Sequence, residues 1–114
     1  PCVLDISSFN LCYNYGYRFF KLHATDIGNI KFLNYIKNKN CTFLLETQCA
    51  THQDIKNALS ILKKSVIAII HGFSDYPTDY ADLNLNALDD LRKKYKKVLS
   101  KEVFLKSLRV IFFK

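Results

Sequence analysis

The sequence contains no apolar segment long enough to cross a membrane. Its longest uninterrupted apolar run is Val66 to Ile70, whereas a membrane-spanning helix needs about 20 such residues. The basic start followed by an apolar stretch that marks a secretory signal is also missing. We therefore expect a cytoplasmic protein without a membrane partner.

The chain is also too short to close a complete α/β barrel. Its 114 residues suffice for one domain with its own core, but an eight-unit barrel takes about 250 residues. No methionine opens the sequence, which begins with Pro1. We therefore expect a fragment or a processed product.

The four cysteines do not have the spacing of a metal site. Cys2, Cys12, Cys41 and Cys49 are separated by 10, 29 and 8 positions, which fits neither a C-x-x-C pair nor a zinc ribbon. Because no secretory signal is present, we expect reduced thiols, mostly buried in the core, rather than disulfides.

Positive charge is concentrated at the C-terminal end. Residues 92–114 contain nine lysines and arginines against one acid, Glu102, a net charge of +8 within a chain total of +7. The first 91 residues thus carry a net charge of −1. This distribution argues against a nucleic-acid partner for the whole chain. A small basic protein that binds polyanions through residues 98–114 is a weaker alternative.

Strand-like and helix-like segments alternate, which is typical of repeated βα units with a parallel sheet. The expected strands are residues 18–23, 42–46 and 66–70. Helices should begin at Ser7 or Ser8, at Asp26 or Asn29, at Thr51 and at Asn84. Apolar spacing predicts that the second helix buries one face, which contains Ile30, Phe32, Leu33 and Ile36. A capping box of Thr51 and Asp54 should open the third helix.

The segment from Ser65 to Tyr95 joins a buried strand, a polar loop and a helix. Residues 66–70 do not alternate in polarity, as in a strand covered on both faces. Leu85, Leu88 and Leu91 then recur on one side of a helix. Hydrogen-bonding side chains crowd the loop just past the strand's carboxyl end, where α/β folds bind ligands. They are His71, Ser74, Asp75, Tyr76 and Thr78.

Three ordered blocks resemble the N-acetylneuraminate (sialic acid) synthase family, including its legionaminate and pseudaminate relatives. Residues 71–85 contain H-G, Y-P, an acidic residue and N-L in the family's order. Residues 19–27 contain F-F-K-L and then T-D-I, where the family often has F-F-K-I and D-I. Residues 44–51 are L-L-E-T-Q-C-A-T against the family's L-S-T-G-M-A-T. The resemblance covers roughly residues 10–97.

The resemblance implies an α/β fold, a partial (β/α)8 TIM barrel of about three consecutive βα units with parallel strands. Residues 1–97 would form this partial synthase domain, and residues 98–114 a divergent basic tail. In the family's reaction, phosphoenolpyruvate condenses with an N-acetylated hexosamine, and a divalent Mn or Mg ion polarises the sugar's aldehyde. The family's two metal-binding histidines have no counterpart here. We therefore assign no catalytic residue and no metal ligand.

The resemblance implies five substrate-binding candidates. Lys21 matches a strand-end lysine that contacts phosphoenolpyruvate, and a lysine within an apolar strand is costly unless paired. Thr25 stands next to the position of a phosphate-binding serine, and Thr47 is retained from L-S-T-G. Ser74 occupies the position of an asparagine that binds phosphoenolpyruvate, and Tyr76 matches a tyrosine that faces the sugar.

Two replacements alter this implied site. Glu46 stands where the family has the serine of L-S-T-G, and a carboxylate repels a phosphate. Gln48 replaces the glycine, which removes the freedom of a tight backbone approach. The alternative interpretation is an inactive remnant or interaction module that keeps the barrel packing without a working site. Open sheet edges and uncovered Val and Ile faces also predict self-association between copies of the chain.

Overall fold

Short apolar segments of the chain pair into one sheet. The computed structural model describes residues 1–72, 85–95, 98–105 and 108–113, with side chains described in residues 1–71 and 86–95. The strands within these ranges are β1 (Cys2–Val3), β2 (Phe19–Leu22), β3 (Thr42–Glu46), β4 (Val66–Gly72), β5 (Val98–Leu105) and β6 (Leu108–Phe113). Their spatial order is β1-β2-β3-β4-β6-β5. Strands β1 to β4 are parallel neighbours in chain order, and β6 runs antiparallel to both β4 and β5.

Helices connect the consecutive parallel strands. The helices of the described ranges are α1 (Ile6–Asn14), α2 (Ala24–Ile27), α3 (Ile30–Ile36), α4 (His52–Leu62) and α5 (Leu85–Lys94), with a 3-10 turn at Lys63–Ser65. Every crossover from β1 to β4 therefore contains at least one helix, which confirms the predicted βα repeat. Within the same ranges, no helix combines the length and the apolar character that crossing a bilayer requires.

The core lies on one face of the parallel sheet. Alternate residues of β2 and β3 are fully buried on this face, namely Phe20, Leu22, Phe43 and Leu45. They pack against side chains of α1, α3 and α4, namely Phe9, Phe32, Leu33, Ile36, Ala58 and Leu62. Farther along the same face, Ile69 of β4 packs with residues of α4 and α5. A doubly wound sheet would have helices on both faces, so this arrangement is that of a barrel segment.

Aromatic rings connect α1 to the sheet. The ring of Phe9 lies 4.7 Å from that of Phe20, and the ring of Phe20 lies 6.2 Å from that of Phe43. Each of these rings is fully buried. Burying such a side chain contributes about 1.5–3 kcal/mol, so these contacts hold β2, β3 and α1 together.

Short polar side chains set the helix starts. The N-cap of α1 is Asp5, not the predicted Ser7 or Ser8, and its carboxylate accepts from the Ser8 backbone N–H at 2.7 Å. A carboxylate at this position also compensates the positive end of the helix dipole. In α4 the predicted capping box is confirmed. The Thr51 hydroxyl accepts from the Asp54 N–H at 3.2 Å, and the Asp54 carboxylate accepts from the Thr51 N–H at 2.9 Å.

The region between β2 and β3 holds two helices where one was predicted. Gly28 separates α2 from α3, and the Asn29 side chain caps α3 by accepting from the Phe32 N–H at 3.1 Å. Three of the predicted inward residues of α3 are buried, but Ile30 is 44% exposed. Ile30 is the first residue of α3 and therefore lies at the margin of the core.

The sequence does not predict β1, because two residues carry no periodic signal.

The basic tail adds strands to the sheet. Strand β6 pairs with β4 from Ala68 opposite Phe112 to Gly72 opposite Leu108, and it pairs with β5 on its other side. Both pairings are antiparallel, whereas all eight strands of a complete (β/α)8 barrel are parallel. The division into a barrel domain and a tail at residue 97 stays a prediction.

All four cysteines are free thiols, as expected, but the expectation that most are buried is wrong. Cys41 is buried and Cys12 is partly buried, whereas Cys2 and Cys49 are exposed. Cys2 lies in the edge strand β1, and Cys49 lies in the turn between β3 and α4. Both positions are outside the layer that the helices cover.

The end of α4 contains a strained backbone position, which yields a stability prediction. Lys63 has a φ of 51° and a ψ of −122°, a region that glycine alone enters without steric cost. We predict that Lys63→Gly raises the free energy of unfolding, measured by urea denaturation, by about 1 kcal/mol. Lys64→Gly is the control, because the φ of Lys64 is not positive, and it should lower stability by about 0.5–1 kcal/mol. Equal losses in the two variants would contradict strain at Lys63.

The capping box of α4 makes stability depend on pH. Hydrogen bonds from the Thr51 hydroxyl and backbone N–H hold the pKa of Asp54 below its ordinary value of 3.8. The carboxylate therefore stabilises the folded chain above pH 3.8, and this contribution is lost as the pH falls through the lower pKa of the folded state. We predict that Asp54→Asn is less stable than the native chain at neutral pH. The difference should shrink between about pH 5 and about pH 2.

Urea denaturation at each pH measures this difference in the free energy of unfolding. Thr51→Ser is the matched control, because it keeps the hydroxyl that Asp54 contacts and should keep the native pH dependence. A difference between Asp54→Asn and the native chain that stays constant over the whole range would contradict the role assigned to this carboxylate.

Candidate functional site

Charged side chains gather at the edge where the parallel strands end. Lys21 is the third residue of β2, His23 directly follows β2, and Glu46 is the last residue of β3. Because successive side chains of a strand point to opposite faces, Lys21 lies opposite its buried neighbours Phe20 and Leu22. It therefore lies on the sheet face away from the helices, which lines the interior of a closed barrel. Barrel enzymes bind their ligands at this carboxyl edge.

The carboxylate of Glu46 joins side chains from both strands and from the turn that follows. Its Oε1 lies 3.1 Å from Lys21 Nζ and accepts a hydrogen bond from Gln48 Nε2 at 3.1 Å. Its Oε2 lies 3.1 Å from Nδ1 of His23. Each carboxylate oxygen thus has a nitrogen donor. We call Lys21, His23, Glu46 and Gln48 the Glu46 cluster.

Exposure is unequal within the Glu46 cluster. The side chain of Glu46 is only 6% exposed, whereas those of Lys21 and His23 are 32% and 39% exposed. A buried carboxylate is costly unless opposite charge and hydrogen bonds compensate it. The donors of the cluster therefore make a glutamate tolerable at this position, while Lys21 and His23 remain accessible to solvent.

The pairing of Lys21 explains how a lysine is accommodated in an apolar strand. The sequence predicts that Lys21 needs a partner and, separately, that Glu46 would repel a phosphate. The structure brings the two side chains together, so the repelling carboxylate is itself the partner of the lysine. The pairing of Lys21 and the predicted repulsion of a phosphate therefore both involve the Glu46 carboxylate.

Asp26 holds the turn that carries His23. Its carboxylate accepts from the His23 backbone N–H at 3.1 Å. Asp26 is only 5% exposed, and this burial raises the pKa of its carboxyl group, against the opposing effects of the His23 N–H and of the charge on the His23 ring. The turn between β2 and α2 is thereby held in the shape that brings the imidazole to Glu46.

The two predicted threonines lie in different surroundings. Thr47 is buried, and its hydroxyl donates to the carbonyl oxygen of Ile70 at 3.1 Å, while its backbone N–H donates to the same oxygen at 2.9 Å. These bonds tie the turn after β3 to β4. Thr25 is exposed on α2. The substrate-binding role of both threonines stays a prediction.

The turn after β3 has its left-handed backbone position at Cys49 rather than at Gln48. Cys49 has a φ of 57°, whereas Gln48, at the position of the family's glycine, has no positive φ. The side chain of Gln48 instead donates to Glu46. The replacement of glycine at position 48 therefore adds a member to the cluster.

The remaining candidates belong to the loop after β4. Ser74 and Tyr76 lie outside the described residues, as do the other polar residues of that loop beyond Gly72. His71, near the end of β4, is partly buried and takes part in a polar or ring contact. The roles of Ser74 and Tyr76 stay predictions.

The described residues do not fit the divalent metal that the resemblance implies. In the ranges that the structure describes, no three side chains of His, Cys, Asp or Glu are grouped so as to hold a metal ion. Glu46 and His23 contact each other, and both oxygens of Glu46 already have nitrogen donors. We derive no step through a metal from these residues.

Fold and site together define a class of protein. Strands β1 to β4 are parallel neighbours in chain order, and helices cover one face of this sheet. Charged side chains lie on the opposite face, at the carboxyl ends of the strands. This is the arrangement of an α/β barrel. Residues 2–100 match the sequence model of the NeuB family. The chain belongs to the NeuB family. The resemblance to sialic acid synthases is thus confirmed, and the match extends beyond residues 10–97 at both ends.

Named relatives agree with this assignment. The chain is 29% identical over 97 residues to the N,N'-diacetyllegionaminic acid synthase of Campylobacter jejuni, a match that covers 81% of this chain and 29% of the relative. With the enzyme of the same name from Legionella pneumophila, identity is 22% over 98 residues, covering 80% of this chain and 28% of the relative. The chain thus spans less than a third of the length of either relative.

A solved structure shows the same fold. The N-acetylneuraminic acid (sialic acid) synthetase from Leptospira borgpetersenii, in complex with citrate, matches with a TM-score of 0.73 and 30% identity. The match covers 82% of this chain and 34% of that protein. The partial barrel predicted from the sequence is therefore confirmed.

Sequence reasoning missed His23 and Gln48 as partners of Glu46. His23 stands two positions after Lys21, which is the spacing of residues on one face of a strand. This spacing could have indicated that His23 and Lys21 share a face. However, His23 lies just beyond the end of β2, where strand alternation no longer specifies the direction of a side chain. Gln48 lies in a turn, and its contact depends on the local backbone.

We predict that the ion pair between Lys21 and Glu46 is measurable as a coupling energy. Lys21→Met leaves the buried carboxylate with fewer donors, so the free energy of unfolding should fall by about 2 kcal/mol. Adding Glu46→Gln should recover part of this loss, because the amide carries no charge. Urea denaturation of the native chain, both single variants and the double variant should give a coupling above about 1 kcal/mol.

Lys31→Met, on an exposed part of α3, is the matched control for this cycle. It should change the free energy of unfolding by less than about 0.5 kcal/mol. If the effects of Lys21→Met and Glu46→Gln simply add, the two side chains do not interact and the pairing is refuted.

Proposed function

We propose that the chain is part of a sialic acid or legionaminic acid synthase-like enzyme. Such an enzyme condenses phosphoenolpyruvate with an N-acetylated hexosamine and releases phosphate. Membership of the NeuB family over residues 2–100 carries this proposal. The relatives from Campylobacter jejuni and Leptospira borgpetersenii support it, because both are named as synthases or synthetases of such sugars.

Lys21 is the described residue that suits the phosphoenolpyruvate contact best. Its Nζ lies at the carboxyl edge of the sheet, and a third of its side chain is accessible to solvent. A fixed cation there would attract the anionic substrate and stabilise negative charge on the departing phosphate. The Leptospira borgpetersenii relative was solved with citrate, a small polyanion, which supports a site for anionic molecules in this fold.

The other candidates would assist at the same edge. Hydroxyl groups of Thr25 and Ser74 would donate to phosphate oxygens, and Tyr76 would face the sugar. The Thr47 hydroxyl would do the same only by giving up its bond to the Ile70 carbonyl oxygen. In the intact family, a divalent Mn or Mg ion polarises the sugar's aldehyde. The family's two metal-binding histidines have no counterpart in this sequence, so we propose that other parts of the intact enzyme supply them.

The wider setting of this enzyme is proposed from the sequence. We propose a cytoplasmic location for it. We expect neither nucleic acid nor a membrane among its partners. The outer strands of the described sheet are β1 and β5, and their unpaired edges favour self-association.

A chimera tests the proposed function, because the chain spans 34% of the Leptospira borgpetersenii synthetase. Residues 2–100 would replace the matching segment of that protein. The purified chimera is incubated with phosphoenolpyruvate, Mn²⁺ and N-acetylmannosamine or its diacetylated analogues. Phosphate release and mass spectrometry of a nine-carbon product measure the reaction. We predict product formation, lowered by Lys21→Met at least about 100-fold because the cation is lost.

Lys31→Met in the same chimera is the control and should leave the rate unchanged, since Lys31 is exposed on α3. Circular dichroism establishes that each chimera is folded. A folded chimera that makes no product with any of these acceptors would favour the alternative, an inactive remnant or interaction module with barrel packing.

A further inference from the structure

We propose that Glu46 acts as an internal oxyanion, which fills the anion-binding position between Lys21 and His23. A ligand phosphate would then bind at this position only when the Glu46 carboxylate is displaced. The inference deepens the proposed function and rests on it for the class of ligand, a small phosphorylated acid. It makes Glu46 the residue that sets the preference of this site.

The geometry of the donors supports this role. Lys21 Nζ and His23 Nδ1 lie 3.1 Å from different oxygens of the same carboxylate. Phosphate and carboxylate groups both present neighbouring oxygens to such donors, and hydrogen bonds to them are strengthened by charge. The position between the two nitrogens is therefore one that holds an oxyanion. In this chain that oxyanion is the side-chain carboxylate of Glu46, the last residue of β3.

The pattern of exposure shows which group blocks the position. Glu46 is 6% exposed, while Lys21 and His23 keep about a third of their side-chain surfaces open, at 32% and 39%. Solvent thus reaches both side chains. What stands between them is the carboxylate, which is further anchored by Gln48 Nε2 at 3.1 Å.

Tethering gives Glu46 an advantage over any dissolved anion. A group fixed beside its partners competes at a high effective concentration, whereas a free ligand must be brought there. A phosphate that took over Lys21 would also leave a buried carboxylate without its partner and close to a second negative charge. The native chain should therefore bind phosphate weakly, and removing the carboxylate should expose the site.

The test measures binding of inorganic phosphate to the 114-residue chain by isothermal titration calorimetry at fixed ionic strength. Glu46→Ser should lower the Kd at least about tenfold, because a like charge is removed from the site. Adding Lys21→Met to Glu46→Ser should abolish the gain. Asp89→Ser is the matched control, since it removes one negative charge from an exposed position on α5, 66% exposed, and should leave the Kd within about twofold of the native value.

Glu46→Gln keeps the test decisive if the serine variant does not fold. The amide removes the charge but keeps most of the volume, so its Kd should lie between those of the native chain and Glu46→Ser. A folded Glu46→Ser or Glu46→Gln chain that binds phosphate no more tightly than the native chain overturns the inference. A gain that persists without Lys21 overturns it as well.

Failure of this inference and failure of the proposed function give different results. The phosphate titration uses the 114-residue chain alone, whereas the activity assay uses the chimera. A tenfold gain for Glu46→Ser beside an inactive chimera would support the internal oxyanion and contradict the synthase-like function. An active chimera without any gain in phosphate affinity would overturn the internal oxyanion alone.

Discussion

The parallel pairing of β2 with β3 is the constraint from which both the core and the candidate site follow. In this register Phe20 lies opposite Phe43, and Leu22 lies opposite Leu45, so four large apolar side chains face the helices together. The same register places Lys21 opposite Leu44, on the other face of the sheet. A slip of β2 by one residue would exchange its two faces, which would bury Lys21 among the helices and turn Phe20 and Leu22 away from them.

Packing on one face thus positions charge on the other. The aromatic contacts between α1, β2 and β3 hold the strands together, and the Lys21 ammonium and the Glu46 carboxylate meet at their carboxyl edge. Glu46 stands where the resemblance implies a serine, a replacement that brings a carboxylate to the Lys21 ammonium. The fold tolerates this change because Lys21, His23 and Gln48 supply donors to the buried carboxylate.

Local patterns predicted much of this arrangement. The bounds of β3 were correct, and the capping box of α4 was found because Thr51 and Asp54 stand three positions apart. Patterns failed where the signal was short or interrupted. Two residues were too few to indicate β1, and the apolar spacing that predicted α3 begins at Ile30, so it did not indicate the four-residue helix α2 before Gly28.

The sequence by itself determined the alternation of strands and helices, the parallel α/β class and membership of the NeuB family, because each depends on residue types within short, ordered blocks. It also identified Lys21 as a side chain that needs a partner. Only the tertiary structure decided that this partner is Glu46, with His23 and Gln48 beside it. These contacts depend on the register between two strands and on the shape of the turns that follow them, and neither is contained in the spacing of residues along the chain.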